Sequence, residues 1–167
     1  MPEITLLVHN IRSTHNVGAI FRTAEGFGVK NIILSGYTPY PKTSSDNRLP
    51  HITDKLHSQI HKTALGAEDM VPFEQYDDIR TWLCENDETA QLPVIALEQT
   101  PDSIMLQDFQ APKKFALFLG EEVHGIEDDL LAYCNQVVEI PMCGQKESFN
   151  VSVATGIALY GLTFGHR

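Results

Sequence analysis

Five short apolar runs, residues 4–8, 31–34, 92–97, 114–119 and 137–140, alternate along the chain with stretches of helical spacing. Runs of this length, rich in β-branched and aromatic side chains, read as strands buried on both faces. Strands separated by helices are joined by crossovers rather than hairpins. The pattern therefore predicts an α/β fold: a mostly parallel sheet flanked by helices on both sides. A briefer strand is read at 71–73. With 167 residues and 43% hydrophobic content, the chain has material for one core, and residues 1–167 are expected to form a single domain.

The helical stretches have legible ends. Ser13, Thr14 and Asn16 offer caps for a helix through about residue 27, with Val17, Ile20, Phe21 and Ala24 on one face and Gly26 and Gly28 at its end. Arg22 falls off that apolar stripe. Further helices are read at 54–65, from Asp77 and Asp78 to about 85 with Trp82 on the apolar side, and at 127–134. Residues 35–53, with three prolines, read as a long loop in which Tyr37, Tyr40, Lys42 and Arg48 can stack on bases or meet phosphates. Residues 98–110 read as loop or short helix.

The charge of the chain is uneven. Its formal net charge is −10, which argues against phosphate binding by the molecule as a whole. Residues 1–67 nevertheless hold seven basic against four acidic side chains, and residues 68–167 hold five against eighteen. Any contact with RNA is therefore expected in the N-terminal part, where five of the seven histidines also lie. His57 and His61 stand four apart, but they lack a third ligand at convincing spacing, and no metal is expected. Cys84, Cys134 and Cys143 fit reduced thiols. No apolar run is long enough to span a bilayer and no signal peptide is read, so a cytoplasmic protein with no membrane partner is expected.

The most informative stretch is the last, EIPMCGQKESFNVSVATGIALYGL from Glu139. A short apolar approach, a polar loop and a helix opened by Asn150 form an arrangement that presents backbone amides and small polar side chains to a ligand at the mouth of a sheet. Taken alone, Ser148 and Asn150 read equally as helix caps. Two other stretches change the balance: NIRSTHNVGAIFRTAEGFG from Asn10 and FALFLGEEVHGI from Phe115. Together the three resemble the signature motifs of the SpoU/TrmH family, S-adenosylmethionine-dependent RNA ribose 2'-O-methyltransferases of the SPOUT superfamily.

That resemblance implies a SPOUT-type α/β knot, with the C-terminal part tied into a trefoil knot, and S-adenosyl-L-methionine as cofactor. It implies a cofactor slot at Leu97, Gly120, Ile140, Met142, Ser148 and Phe149, with Phe149 standing where the family commonly has leucine. It assigns a central part in the reaction to Arg22, and Asn16, Glu121, Ser148 and Asn150 match the other polar positions, with Glu121 expected to hold Arg22 or a loop amide. An RNA substrate follows, tRNA rather than rRNA for so compact a chain. A homodimer is also implied, in which Arg22 serves the cleft of the other subunit. The alternative is a non-catalytic RNA- or nucleotide-binding module that retains the fold. The dinucleotide, P-loop and hydrolase signatures G-x-G-x-x-G, G-x-x-x-x-G-K-[ST] and G-x-S-x-G are absent.

Overall fold

β1 (Glu3–His9) lies inside a seven-stranded sheet and is hydrogen-bonded in parallel to β2 (Asn31–Ser35) on one side and β6 (Lys114–Leu119) on the other. β3 (Phe73–Tyr76) extends the sheet beyond β2. On the other side β4 (Val94–Leu97) pairs with β6, β7 (Gln136–Glu139) pairs with β4, and the two-residue β5 (Ile104–Met105) closes the edge. The order is β3-β2-β1-β6-β4-β7-β5, and every pairing is parallel. The α/β expectation with a parallel, helix-flanked sheet is met. The computed structural model describes residues 1–165.

Five helices cover the two faces: α1 (Thr14–Gly26), α2 (Pro50–Ala64), α3 (Ile79–Glu88), the short α4 (Asp128–Leu131) and α5 (Val151–Phe164). The two-residue period of the strands sorts the core between them. Leu6 and Val8 of β1, with Phe115, Leu117 and Leu119 of β6, point to the face covered by α1, α2 and α5, where they meet Ile20, Phe21, Ile60 and Leu159. Leu7, Ala116 and Phe118 point the other way, to Ile79 and Leu83 of α3 and Leu130 of α4. Trp82, half-buried, packs against this second cluster from the apolar side of α3. No helix among the described residues is long and apolar enough to cross a membrane.

Several boundaries differ from the sequence reading. α2 starts at Pro50 rather than residue 54, with Leu49 as its N-cap and proline in the first turn, where the missing N–H costs nothing. β3 lies at Phe73–Tyr76 rather than 71–73, because Ile32 to Ser35 of β2 supply its partners. The segment read as loop or short helix contains β5 and a 3-10 turn, Leu106–Asp108. α4 is a single turn, shorter than expected.

The long loop before α2 is stitched by Arg48. Its guanidinium donates to both carboxylate oxygens of Asp46 and to the carbonyls of Tyr40 and Pro41, and it stacks on the Tyr40 ring at 3.5 Å. Arg48 holds the Asp46 carboxyl well below the usual carboxylate range. With its donors engaged inside the loop, Arg48 is not the phosphate contact expected of it. Lys42 is bound to Asp54 at the surface, 2.7 Å away.

α1 and α2 approach closely at Gly18. A Cβ there would lie 2.2 Å from Thr63 Oγ1 and 2.3 Å from the Ile60 carbonyl oxygen. Backbone in the middle of a helix cannot step aside cheaply, so Gly18→Ala is expected to destabilise the fold by ~1–3 kcal/mol despite alanine's better helix propensity. Urea unfolding of the two proteins checks this: an equal or higher midpoint for Gly18→Ala would refute the contact.

Candidate active site

Parallel strands bring their carboxyl ends to one edge of the sheet, and the loops that leave β4, β6 and β7 there enclose a cleft of about 350 Å³. Each wall follows from a strand end. Leu97 closes β4 and is followed by Glu98 and Gln99; Leu119 closes β6 and is followed by Gly120 to Gly125; Glu139 closes β7 and is followed by Ile140. Ser148, Phe149 and the first turn of α5 complete the lining. Leu97, Gly120, Ile140, Ser148 and Phe149 thus share one cleft, together with Glu121. Met142, half-buried, is not part of its lining.

The loop after β6 folds back on itself. Glu121 and Gly125 exchange backbone hydrogen bonds of 3.1 and 2.9 Å, and Gly125 has φ +69°, the left-handed region that glycine enters without strain. A Cβ on Gly120 would sit 2.5 Å from the Gly125 carbonyl carbon, so this backbone pinch itself demands glycine at 120. Glu98 holds the far side of the loop by accepting from the Ile126 N–H at 3.0 Å. Gln99 donates to the Glu147 carbonyl at 2.7 Å and thereby ties the polar loop before α5 to the end of β4.

Three distant stretches meet at the mouth of the cleft through side-chain amides. Asn150 caps α5, its Oδ1 accepting from the Ser152 N–H at 3.0 Å and the Ser152 hydroxyl at 2.6 Å. Its Nδ2 donates to Asn16 Oδ1 at 3.1 Å, and Asn16 Nδ2 donates in turn to Glu122 Oε1 at 3.0 Å. Asn16 is itself placed by the start of α1, where its N–H donates to the Ser13 hydroxyl at 3.3 Å. The line Asn150, Asn16, Glu122 joins α5, α1 and the loop after β6.

Glu122 was not singled out from the sequence. The adjacent glutamates after Gly120 are equivalent on paper, and only the folded loop sends one to Asn16 and the other elsewhere. Glu121 does not hold Arg22: its carboxylate lies 3.6 Å from the Arg12 guanidinium. Arg22 is exposed on α1, outside the lining of the cleft, and its side chain makes no hydrogen bond or ion pair among the described residues. Ser148 is likewise exposed, with its hydroxyl uncommitted among the described residues.

The cleft is acidic. Glu98, Glu121, Glu122, Glu139 and Glu147 line it, and Arg12 offsets one of them from the rim. Such a lining favours a ligand that carries positive charge. No cluster of three or more histidine, cysteine or acidic side chains suited to a metal occurs among the described residues. His57 and His61 stack on each other with centroids 6.5 Å apart, and His61 Nδ1 is paired with the buried Glu68 carboxylate.

Residues 3–160 match the model of the SpoU rRNA Methylase family. The chain is 31% identical over 159 residues to the 23S rRNA (guanosine-2'-O-)-methyltransferase RlmB of Nitrosomonas europaea, an alignment covering 95% of this chain and 55% of that protein. It thus spans little more than half the length of such curated relatives. Its fold superposes on the AdoMet-bound rRNA methyltransferase from Sinorhizobium meliloti with a TM-score of 0.79 at 24% identity, over 96% of this chain and 55% of that one. A structure described for 2-OH methylation on tRNA superposes with a TM-score of 0.76 at 20% identity, over 96% of this chain and 94% of that one.

The two roles of Asn150 are separable by substitution. Asn150→Ala removes the cap and the tie to Asn16 and is expected to cost ~1 kcal/mol or more of stability, whereas Asn150→Ser keeps a capping oxygen and is expected to lose only a few tenths. Urea midpoints that fall equally for the two variants would show that the cap is not what Asn150 contributes to the fold.

Proposed function

The chain belongs to the SpoU rRNA Methylase family, and we propose that it transfers a methyl group from S-adenosylmethionine to a ribose 2'-hydroxyl of RNA. The observation that carries this reading is the hydrogen-bonded line from Asn150 through Asn16 to Glu122, which draws all three motif stretches to the mouth of one cleft.

The cleft fits the cofactor in size and charge. Its volume lies within the range of small-molecule sites, and its five carboxylates suit a ligand with a sulfonium and an ammonium group. When bound, S-adenosylmethionine supplies an activated methyl group. Leu97, Ile140 and Phe149 would form the apolar slot, with Gly120 and Ser148 offering polar contacts beside it and Met142 on the approach from β7.

For the ribose, Asn16, Glu122 and Asn150 fix the relative position of the loops around the reacting hydroxyl, and Glu121 holds Arg12 at the rim. Arg22 is the group free to meet the substrate. A guanidinium does not readily surrender a proton at neutral pH, so its role is to anchor the neighbouring phosphate and stabilise charge developing on the 2'-oxygen.

Arg22 reaches a cleft through a second copy of the chain in this reading. α5 presents Val153, Ile157 and Tyr160 to solvent with exposures of 50%, 36% and 62%, an apolar stripe at helical spacing on the helix that packs beside α1. A homodimer across this stripe would carry the Arg22 of one subunit toward the cleft of its partner. We further place β7, inserted between β4 and β5, and the polar loop after it in a C-terminal trefoil knot of a single SPOUT domain, 1–167, working in the cytoplasm with reduced thiols. The sheet order supports the knot, since the chain returns between two strands already laid down.

Within RNA, tRNA is the narrower choice. tRNA is what is named for a chain of the same fold described for 2-OH methylation, whereas 23S rRNA is what is named for the curated relative, so the two substrates are set against each other directly. Transfer of labelled methyl groups to total tRNA and to 23S rRNA, assayed side by side, decides between them, and absence of S-adenosylmethionine binding by the folded protein would overturn the enzymatic reading altogether. Arg22→Ala is expected to lower kcat by ~10²–10³ with S-adenosylmethionine affinity unchanged. Mixing Arg22→Ala with Glu122→Gln is expected to restore part of the activity by pairing one intact Arg22 with one intact cleft; no recovery on mixing would place each site within one subunit.

A further inference from the structure

A second cleft opens at the same edge of the sheet, beyond the ends of β1, β2 and β3, with a volume of about 670 Å³. The cofactor reading makes no use of it, and its chemistry is unlike that of the first. Arg12, Tyr37, Tyr40 and Gln59 are among its walls, with Asp77 as a single carboxylate that accepts from the Gln75 amide at 3.0 Å, so aromatic, amide and guanidinium groups take the place of the ring of carboxylates. It also lies in the part of the chain with excess positive charge.

The surfaces that remain free in it are few and definite. Arg48 is consumed by the loop and covers the Tyr40 ring, which leaves Tyr37 as the exposed aromatic, 50% accessible. The Tyr37 backbone is pinned: its N–H donates to Asn10 Oδ1 at 3.3 Å, and both Asn10 and Gly36 adopt positive φ, 57° and 64°, to form that corner. Arg12 stands over the Tyr37 ring at 5.8 Å with its side chain 78% exposed, and the same guanidinium lies 3.6 Å from Glu121 of the first cleft. It therefore marks the ridge between the two clefts. The Gln59 side-chain amide makes no hydrogen bond among the described residues, so a donor and an acceptor face the cavity unspent.

We infer that this cleft receives one unstacked nucleotide of single-stranded RNA adjacent to the methylated one, its base on the Tyr37 ring and its phosphate on Arg12. The inference rests on the methyl-transfer reading and adds to it where the neighbouring nucleotide is held. Aromatic stacking accepts any base, because every base offers a π-face. The amide of Gln59 lies where it can read the edge of that base. An acidic cleft for the cationic cofactor and a basic, aromatic one for the anionic substrate then share a single ridge.

Calorimetric titration with the four ribonucleoside 5'-monophosphates and with inorganic phosphate tests this on the intact protein, its Tyr37→Phe, Tyr37→Ala and Arg12→Ala variants, and S-adenosylmethionine as a separate titrant. At least one mononucleotide is expected to bind. Tyr37→Ala is expected to weaken it at least ~10-fold, equivalent to ~1.4 kcal/mol, Tyr37→Phe by less than about threefold because the ring is kept, and Arg12→Ala by an intermediate factor that shrinks with added salt. S-adenosylmethionine affinity is expected to stay constant in the two Tyr37 variants, whose side chain is not part of the first cleft's lining. Absence of saturable nucleotide binding, equal binding by wild type and Tyr37→Ala, or phosphate binding as tight as nucleotide binding would each overturn the inference. Nucleotide binding that needs Tyr37 in a protein that takes no S-adenosylmethionine would instead remove the methyl-transfer reading and leave the nucleotide cleft standing.

Discussion

β1 is hydrogen-bonded in parallel on both sides and buried on both faces, and the rest of the molecule is hung on that double pairing. On one side β2 and β3 carry the chain outward; on the other β6, β4, β7 and β5 do so. Because all run the same way, every loop that leaves a carboxyl end emerges at one edge, and ligand sites in open parallel sheets gather there. The loop that leaves β1 divides this edge into two clefts, and Arg12, three residues past the end of β1, sits between them.

The division is also electrostatic. The acidic excess of residues 68–167 is not spread evenly over a solvated surface, since five of its glutamates converge on one cleft. A lining of that kind would repel the phosphates of an RNA and attract a cation. The N-terminal part supplies the complementary surface: Arg22 is exposed and unpaired among the described residues, Arg12 is exposed but leans on Glu121, and Arg48 and Lys42 are spent on Asp46 and Asp54. Net charge summed over the chain hid this arrangement, because it averages two clefts of opposite character.

What was legible in the sequence follows what is locally determined. β1 and β6 could be read because burial on both faces demands unbroken apolar runs, and α1 because Ser13, the Val17 to Ala24 stripe and Gly28 mark a start, a face and an end. β5 was not legible: two residues carry no period, and they become a strand only because β7 offers its edge. The start of α2 is hidden in the sequence because Pro50 looks like a loop residue there, yet it occupies the first helical turn. At the site, Leu97, Gly120, Ile140, Ser148 and Phe149 line one cleft and Met142 does not, while the partners of the glutamates have no signal in the sequence at all. Whether Glu121 or Glu122 faces Asn16 depends on the backbone pinch between Glu121 and Gly125, a contact between loop residues with no pattern in sequence. Arg12 escaped notice for a similar reason, since its two partners, Tyr37 and Glu121, are far from it along the chain.

The sheet ends in strands of four residues at β3 and two at β5. An outermost strand always leaves a row of amides and carbonyls without neighbours, and a long flat row is a template on which another chain can grow. Here each row is cut short before it can align more than a few bonds. A fold whose longest, most apolar strands are also its innermost keeps its stickiest backbone out of reach, and what its two margins offer to another chain is too short to extend.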